Sequence, residues 1–327
     1  MPKSPAFPEP AARLPGEAEM LAAVVADPAD DTAELAYADW LEERDDPRGP
    51  YLRKALAAAR AGKKLPAAKF AHQPWRDLVG LTLVQKIHAA GLAAHADKIL
   101  RLALPAVAVT SARAAEAKLP FGASKFGGGP DLPPGAEWPV FEGRPHAFLA
   151  QFNLAELSAS FACRELPNAG LLSVFYAPDE EDDRDSDPKG SFGVFHFTGG
   201  AKLSRRLPSD NAFRSCRLTF AEALVLPDLD SPWRKDLGFG NDDELGDAYQ
   251  VDVAGFVEGT EHRVLGYPAP VQGDILGKKT VRHLLTIGSD DNAGWMWGDG
   301  GALYFTLSEP DLKAGRFDRV RLEMQCD

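Results

Sequence analysis

The stretch Phe148-Leu149-Ala150-Gln151-Phe152, followed by Asn168-Ala169-Gly170-Leu171-Leu172-Ser173-Val174-Phe175, decides the fold. In the first string Phe148, Ala150, Phe152 and Leu154 recur at every second position, the period that puts side chains on one face of a β-strand. A Gly-Leu turn then opens a run that is apolar on both faces, as a strand covered on both sides must be. The order Gly129-Pro130, strand, glycine turn, strand returns downstream. There it reads Gly266-Tyr267-Pro268, then Leu284-Leu285-Thr286-Ile287, then Asp299-Gly300-Gly301-Ala302-Leu303-Tyr304-Phe305. Two copies of one plan predict an internal duplication.

Working outward, Phe192 to Thr198, Val281 to Ile287 and Ala302 to Leu307 read as further two-faced strands. Near the C-terminus Val320, Leu322, Met324 and Cys326 alternate with Arg319, Arg321, Glu323, Gln325 and Asp327. That is a strand solvated on one side, with charges that discourage edge pairing. Residues 77–327 therefore predict a β-rich, antiparallel α+β domain with its strands in two packed layers.

Upstream the period changes to that of helices. Met20, Leu21, Val24 and Val25 share a face that ends at Asp27-Pro28, because proline cannot continue a helix. A second helix begins near Asp31-Thr32 as cap, with Leu35, Trp40 and Leu41 as its stripe, and turns at Asp45 to Gly49. A third carries Tyr51, Leu52, Ala55, Leu56 and Ala59. This small helical bundle, residues 17–58, follows a proline-rich leader (1–16) expected to be disordered, and precedes an Ala/Lys/Pro linker (59–76). A bundle this small needs support from elsewhere. Two more helices, Leu78 to Ala90 and Leu92 to Ala103, are expected on either side of Gly91, before Val107 and Val109 start an extended run.

Two resemblances attach to these strings. Glu17 to Arg53, with D-P-A-D-D-T and Y-A-D-W-L-E-E-R-D-D-P-R-G, resembles the bacterial repeat-companion domain, a module found beside varied partners; the likeness implies no catalysis. Five strings in order resemble the YwqG family of unknown function: SKFGGGPDLPPGAEWP (124–139), FLAQFNLAEL (148–157), LPNAGLLSVFY (166–176), HRVLGYPAPVQGD (262–274) and WMWGDGGALYFTLSEPDL (295–312). The likeness covers about residues 78–327. Members carry an acidic residue and often a cysteine after the H-R-L-L-G-Y-P box, where this chain has Gly277-Lys278-Lys279. The resemblance also implies a place among toxin and immunity proteins, and hence a basic protein as partner.

Composition narrows the function classes. With 36 Lys plus Arg against 48 Asp plus Glu, the net charge of −12 opposes nucleic-acid binding, which needs a basic face. No apolar run reaches the ~18 residues of a membrane span, so a cytoplasmic protein is expected. Cys163, Cys216 and Cys326 follow no C-x-x-C spacing, which predicts neither a zinc site nor a disulfide framework.

Candidate chemistry is sparse. Gly127-Gly128-Gly129 is followed by Asp131-Leu132-Pro133-Pro134 and not by a helix start, so it reads as a structural loop and not a phosphate cradle. Gly273 to Lys279 misses the phosphate-loop spacing, with Lys279 where Ser or Thr must stand. Ser289 to Gly294 lacks the closing Glu of a calcium loop and reads as a turn. The histidines form no H-E-x-x-H, and no G-x-S-x-G is present. No metal, cofactor or catalytic residue is expected. The strongest constellation is Lys125, Asp131, Trp138 and Gln151 from the first copy with Gln272, Asp274, Trp295, Trp297 and Asp299 from the second, converging if the copies are related by symmetry. Asp179, Glu180, Glu181, Asp182 and Asp183 form an acidic run that would steer a basic partner. The expectation is a non-catalytic protein-interaction module, immunity-like. The alternative is a small-ligand binder or hydrolase with its site between the two copies.

Overall fold

In Cys216–Val225 the residues Cys216, Leu218, Phe220 and Glu222 are buried and alternate with exposed Arg217, Thr219 and Ala221. This strand pairs along its whole length with Leu104–Arg113, and Thr110 faces Thr219. The computed structural model, which describes residues 14–177, 190–199, 202–207, 213–255 and 262–326, is built around that pair.

Ten strands make one antiparallel sheet. They are β1 (Leu104–Arg113), β2 (Lys125–Phe126), β3 (Ala147–Asn153), β4 (Leu171–Tyr176), β5 (Phe192–Phe197), β6 (Cys216–Val225), β7 (His262–Val264), β8 (Val281–Gly288), β9 (Ala302–Ser308) and β10 (Arg321–Gln325). Their spatial order is β10-β9-β8-β7-β1-β6-β2-β3-β4-β5. A pseudo-twofold axis between Thr110 and Thr219 therefore relates β1–β5 to β6–β10, and each copy's first strand lies in the other copy's half of the sheet. The match reaches details. The β3–β4 ladder shifts register between Phe148 and Ala150, and the β8–β9 ladder between His283 and Leu285. The Gly127 amide donates to the Leu149 carbonyl at 2.8 Å, and the Leu265 amide to Leu284 at 3.0 Å.

The strands form a nearly closed barrel, not two layers. Its ends approach where Phe192 of β5 meets Phe305 of β9, ring centroids 6.4 Å apart, and His196 meets Phe317 at 5.8 Å. The interior holds Val107, Val109, Phe126, Phe152, Phe220, Leu285, Trp295 and Phe305 in one apolar cluster. Ten twisted strands with apolar residues on one face bury that face by curling it on itself, which removes most of the exposed edge. The shift at Leu149 also corrects the expected face of β3: Phe148 packs with Leu132 and Phe175 in a separate cluster, while Ala150 and Phe152 point into the barrel.

The helical region comprises α1 (Glu17–Ala26), α2 (Asp31–Glu42), α3 (Arg48–Arg60), α4 (Gln73–Leu78), α5 (Leu81–Ala89) and α6 (Ala96–Leu100). Asp30, one residue earlier than expected, caps α2 by accepting from the Thr32 amide at 2.8 Å. The buried face of α2 is Glu34, Tyr37, Ala38 and Leu41, and Leu35 is exposed. The expected Leu78–Ala90 helix begins instead at Leu81, after Gly80 with φ +75°, and Leu78 ends a separate helix, α4, that starts within the expected linker. Trp40 lies under the Arg44 guanidinium, 3.9 Å from the ring centre.

A polar knot holds α1, α2 and α3 together. Arg48 pairs with Glu17 (2.6 Å) and Asp46 (2.8 Å), Tyr37 donates to Glu17, and the Trp75 indole donates to Tyr37 at 2.9 Å. Arg48 and Glu17 are 2% and 0% exposed, so each charge depends on the other for its solvation. Leu21, Leu52, Trp75, Leu81, Ile99, Leu226 and Tyr249 share a second apolar cluster, so the small bundle packs against α4, α5, α6 and residues 226–253. Among the described residues no helix is long and apolar enough to cross a membrane. Residues 1–13 of the expected leader, and the acidic run 179–183, lie outside the described residues.

Candidate functional site

Across the β2–β3 ladder Lys125 faces Gln151, and the loop that follows returns Asp131 to them. All three are 0% exposed. Gln151 donates to Asp131 at 3.0 Å and accepts from its amide at 2.9 Å. Arg205 grips Asp131 with two bonds of 2.7 and 3.0 Å. Lys125 donates to Glu116 at 2.8 Å and to the Gly129 carbonyl, and stands 3.9 Å from Asp131. Burial works against the charge on Asp131, but Arg205, the Gly122 amide and Lys125 hold its carboxyl below the usual range. Glu116 is held down likewise against burial, by Lys125 and Ser215, while burial lowers Lys125 despite its acidic neighbours. Charges so fully paired act as a clamp on the loop.

The other residues of the expected constellation stand elsewhere. Trp138 packs on Phe175 at 5.5 Å and donates to the His146 carbonyl. Trp295 and Trp297 stack at 5.8 Å in the barrel interior, where Trp295 lies 5.2 Å from Phe126. Phe126 points inward and its neighbour Lys125 outward, so the sheet separates the tryptophans from the Lys125 clamp. Gln272 is exposed and its amide donates to Gln325. Asp274 accepts from the amides of Leu276 and Gly277, and Asp299 is exposed in a turn.

His262 and His283 each hold polar partners on both ring nitrogens. His262 accepts from the Gly288 amide and its other nitrogen meets Asp290 at 3.1 Å. Burial opposes the charge on Asp290, yet His262 and the Ser111 hydroxyl bring it to about 2. His283 meets the Leu265 carbonyl and Thr286, and burial and Arg263 push it down to about 3. The Leu265 carbonyl fixes His283 Nδ1 as a donor, so Nε2 accepts from the Thr286 hydroxyl, but an imidazole held at about 3 is a poor base. Burial raises Cys216 to about 11 and Cys163 to about 12, the reverse of an activated thiol. Among the described residues no group of three or more His, Cys, Asp or Glu is placed to hold a metal.

The concave site lies on the outer face of the second half. A groove of about 640 Å³ is floored by β1, β6, β7, β8 and β9 and walled by α4, α5, the 249–254 π-turn and the 268–271 loop. Its floor is made of small side chains, Ala106 facing Ala223 and Ala108 facing Ala221 across the central ladder. Small residues on a strand pair leave the space that larger ones would fill. Asp77 and Asp228 stand on the walls, raised by burial and held by Thr82, Gln73 and Gln250.

One charge stands out on the floor. Arg263 of β7 lies beside Ala108 and donates to the Tyr267 carbonyl at 2.7 Å. Among the described residues it has no ion-pair partner. Burial lowers it to about 10, with Tyr304 working the other way, so it remains cationic at neutral pH. The site was beyond the reach of motif reading: its floor is ordinary alanine, and Arg263 is singular through a carboxylate that is missing. The one available signal was that RVLGYPAP (263–270) aligns with KFGGGPDL (125–132), setting Ala269 against Asp131.

No curated protein matches the chain. Residues 124–326, well over half of its length, match a family described as a domain of unknown function, DUF1963, and the chain belongs to that family.

Proposed function

We propose that this protein binds a small molecule in the groove over the β1–β6 seam. The observation that carries the reading is the groove itself: about 640 Å³, mostly apolar, with alanine where a packed sheet face would carry bulk. Binding sites have this size and character, an apolar concavity with a few polar groups. The groove lies over the β1–β6 seam and the second half, and neither Gln151 nor Gln272 lines it. Thr286 on its floor is bonded to His283, whose low basicity supports binding over hydrolysis. The test is native mass spectrometry of the full chain purified from its own cells, beside Ala221→Trp, which fills the floor. A retained small molecule that is lost in Ala221→Trp supports the reading; equal retention by both proteins overturns it.

A second reading, an immunity-like interaction with a basic protein, is supported by the net charge of −12 and the acidic run 179–183. The repeat-companion-like helices fit either role as a docking module. Neutralising Asp179, Glu180, Glu181, Asp182 and Asp183 to Asn or Gln should then abolish a salt-sensitive complex, and capture that survives the change would count against it.

A further inference from the structure

We propose that the groove selects small molecules that join a carboxylate to an apolar body, the carboxylate seated on Arg263 as Asp131 is seated in the first half. This rests on the groove being the ligand site. By register Lys125 faces Gln151 and Arg263 faces Thr286, so the two cations are pseudo-equivalent. Each donates to the carbonyl four residues on, Gly129 and Tyr267. Each is followed by two left-handed residues, Gly127 and Gly128 in one loop and Leu265 and Gly266 in the other, and then by Pro130 and Pro268. The next position is Asp131 in the first half and Ala269 in the second.

In the first half, then, the chain supplies its own anion. In the second it supplies a methyl group, and the neighbouring strand offers Ala108 where the first half has Arg217. The result is a half-buried guanidinium that opens on a cavity with no carboxylate paired to it among the described residues. A cation half withdrawn from water and left unpaired is stabilised when an opposite charge arrives. A guanidinium presents a planar fork that matches a carboxylate with two parallel bonds. Asp77, Asp228 and Glu222 also line the groove, with Lys86 as the one further cation among the described residues, so a singly charged anion meets less repulsion there than a phosphate dianion. The alanine floor with Val225, Val253 and Pro270 suits an alkyl or aryl body.

The experiment is calorimetric titration of the full chain with decanoate and phenylacetate, each beside the uncharged alcohol of the same skeleton. Decanoate or phenylacetate should bind at least about tenfold more tightly than its alcohol. Arg263→Met should erase that preference and Arg263→Lys retain part of it. Ala269→Asp, which gives the second half the first half's own anion, should abolish carboxylate binding and raise the melting temperature; this keeps the test sharp if Arg263→Met folds poorly. Acid and alcohol binding equally, both lost in Ala221→Trp, would overturn the Arg263 anchor and leave the groove standing. Binding that is indifferent to Ala221→Trp would overturn both, and failure of both carboxylates to bind would overturn the anchor alone.

Discussion

The two halves of the barrel hold a cation at the same register position and treat it in opposite ways. Lys125 is enclosed by Glu116 and Asp131, with Arg205 as a second cation in the cluster. Arg263 has a backbone carbonyl and an open groove. One scaffold thus carries a closed charge network on one side and an unfinished one on the other. The difference teaches that a duplicated position keeps its geometry while its chemistry is decided six residues away, at Asp131 or Ala269.

Removing the cation is the strongest way to break the comparison. Lys125→Met leaves buried carboxylates short of a partner and should cost about 3–5 kcal/mol, the scale of a broken buried pair. Arg263→Met removes a charge without an internal counterion and should move stability by less than about 1 kcal/mol. Urea unfolding of both variants measures the gap; equal losses would mean that the two cations do the same structural work.

Gly128→Ala and Gly266→Ala sharpen it from the other side. Both residues have left-handed φ, +68° and +70°, a conformation that costs an L-residue ~1–2 kcal/mol. Each new Cβ would also collide, with the Glu116 carboxylate in one loop and with Ala106 at 2.6 Å in the other. Losses of about 2–3 kcal/mol in both, read as thermal midpoints, are expected, because here the halves are alike.

The smallest effect is in the pH profile. Asp131 titrates below its unfolded value, so its stabilisation is complete above about pH 4 and is lost as pH falls through the lowered pKa. Asp131→Asn should flatten the acid limb of stability against pH, and Arg263→Met should leave it intact. Acid titrations followed by far-ultraviolet circular dichroism would show which half drives acid unfolding.

The strands at 148–152, 171–175, 281–287, 302–307 and near the C-terminus were legible because their alternation or apolar runs are local. Cys216–Val225 is harder, since Ala221, Ala223 and Leu224 blur its period and Glu222 occupies a buried position, bonded to Ser160 and the Phe161 amide. Leu35 misled for the opposite reason: an apolar residue on α2 faces outward while Glu34 and Tyr37 face in, held by Arg60 and by Glu17. The barrel's closure is a long-range property of twist and packing. The groove is recorded only as small residues on strands distant in sequence, and the solitude of Arg263 only by aligning two loops that keep one glycine and one proline in common.

The exchange of first strands has a consequence for anyone who divides the chain. The family match begins at Ser124, downstream of β1. A fragment cut there would keep β6 and β7 but lose the strand that joins them, leaving a slot one strand wide through the middle of the barrel wall. Two such fragments have no first strand to lend one another, so the slot would take up whatever extended peptide was at hand. The ten residues of β1, added back as a separate peptide, are the natural plug.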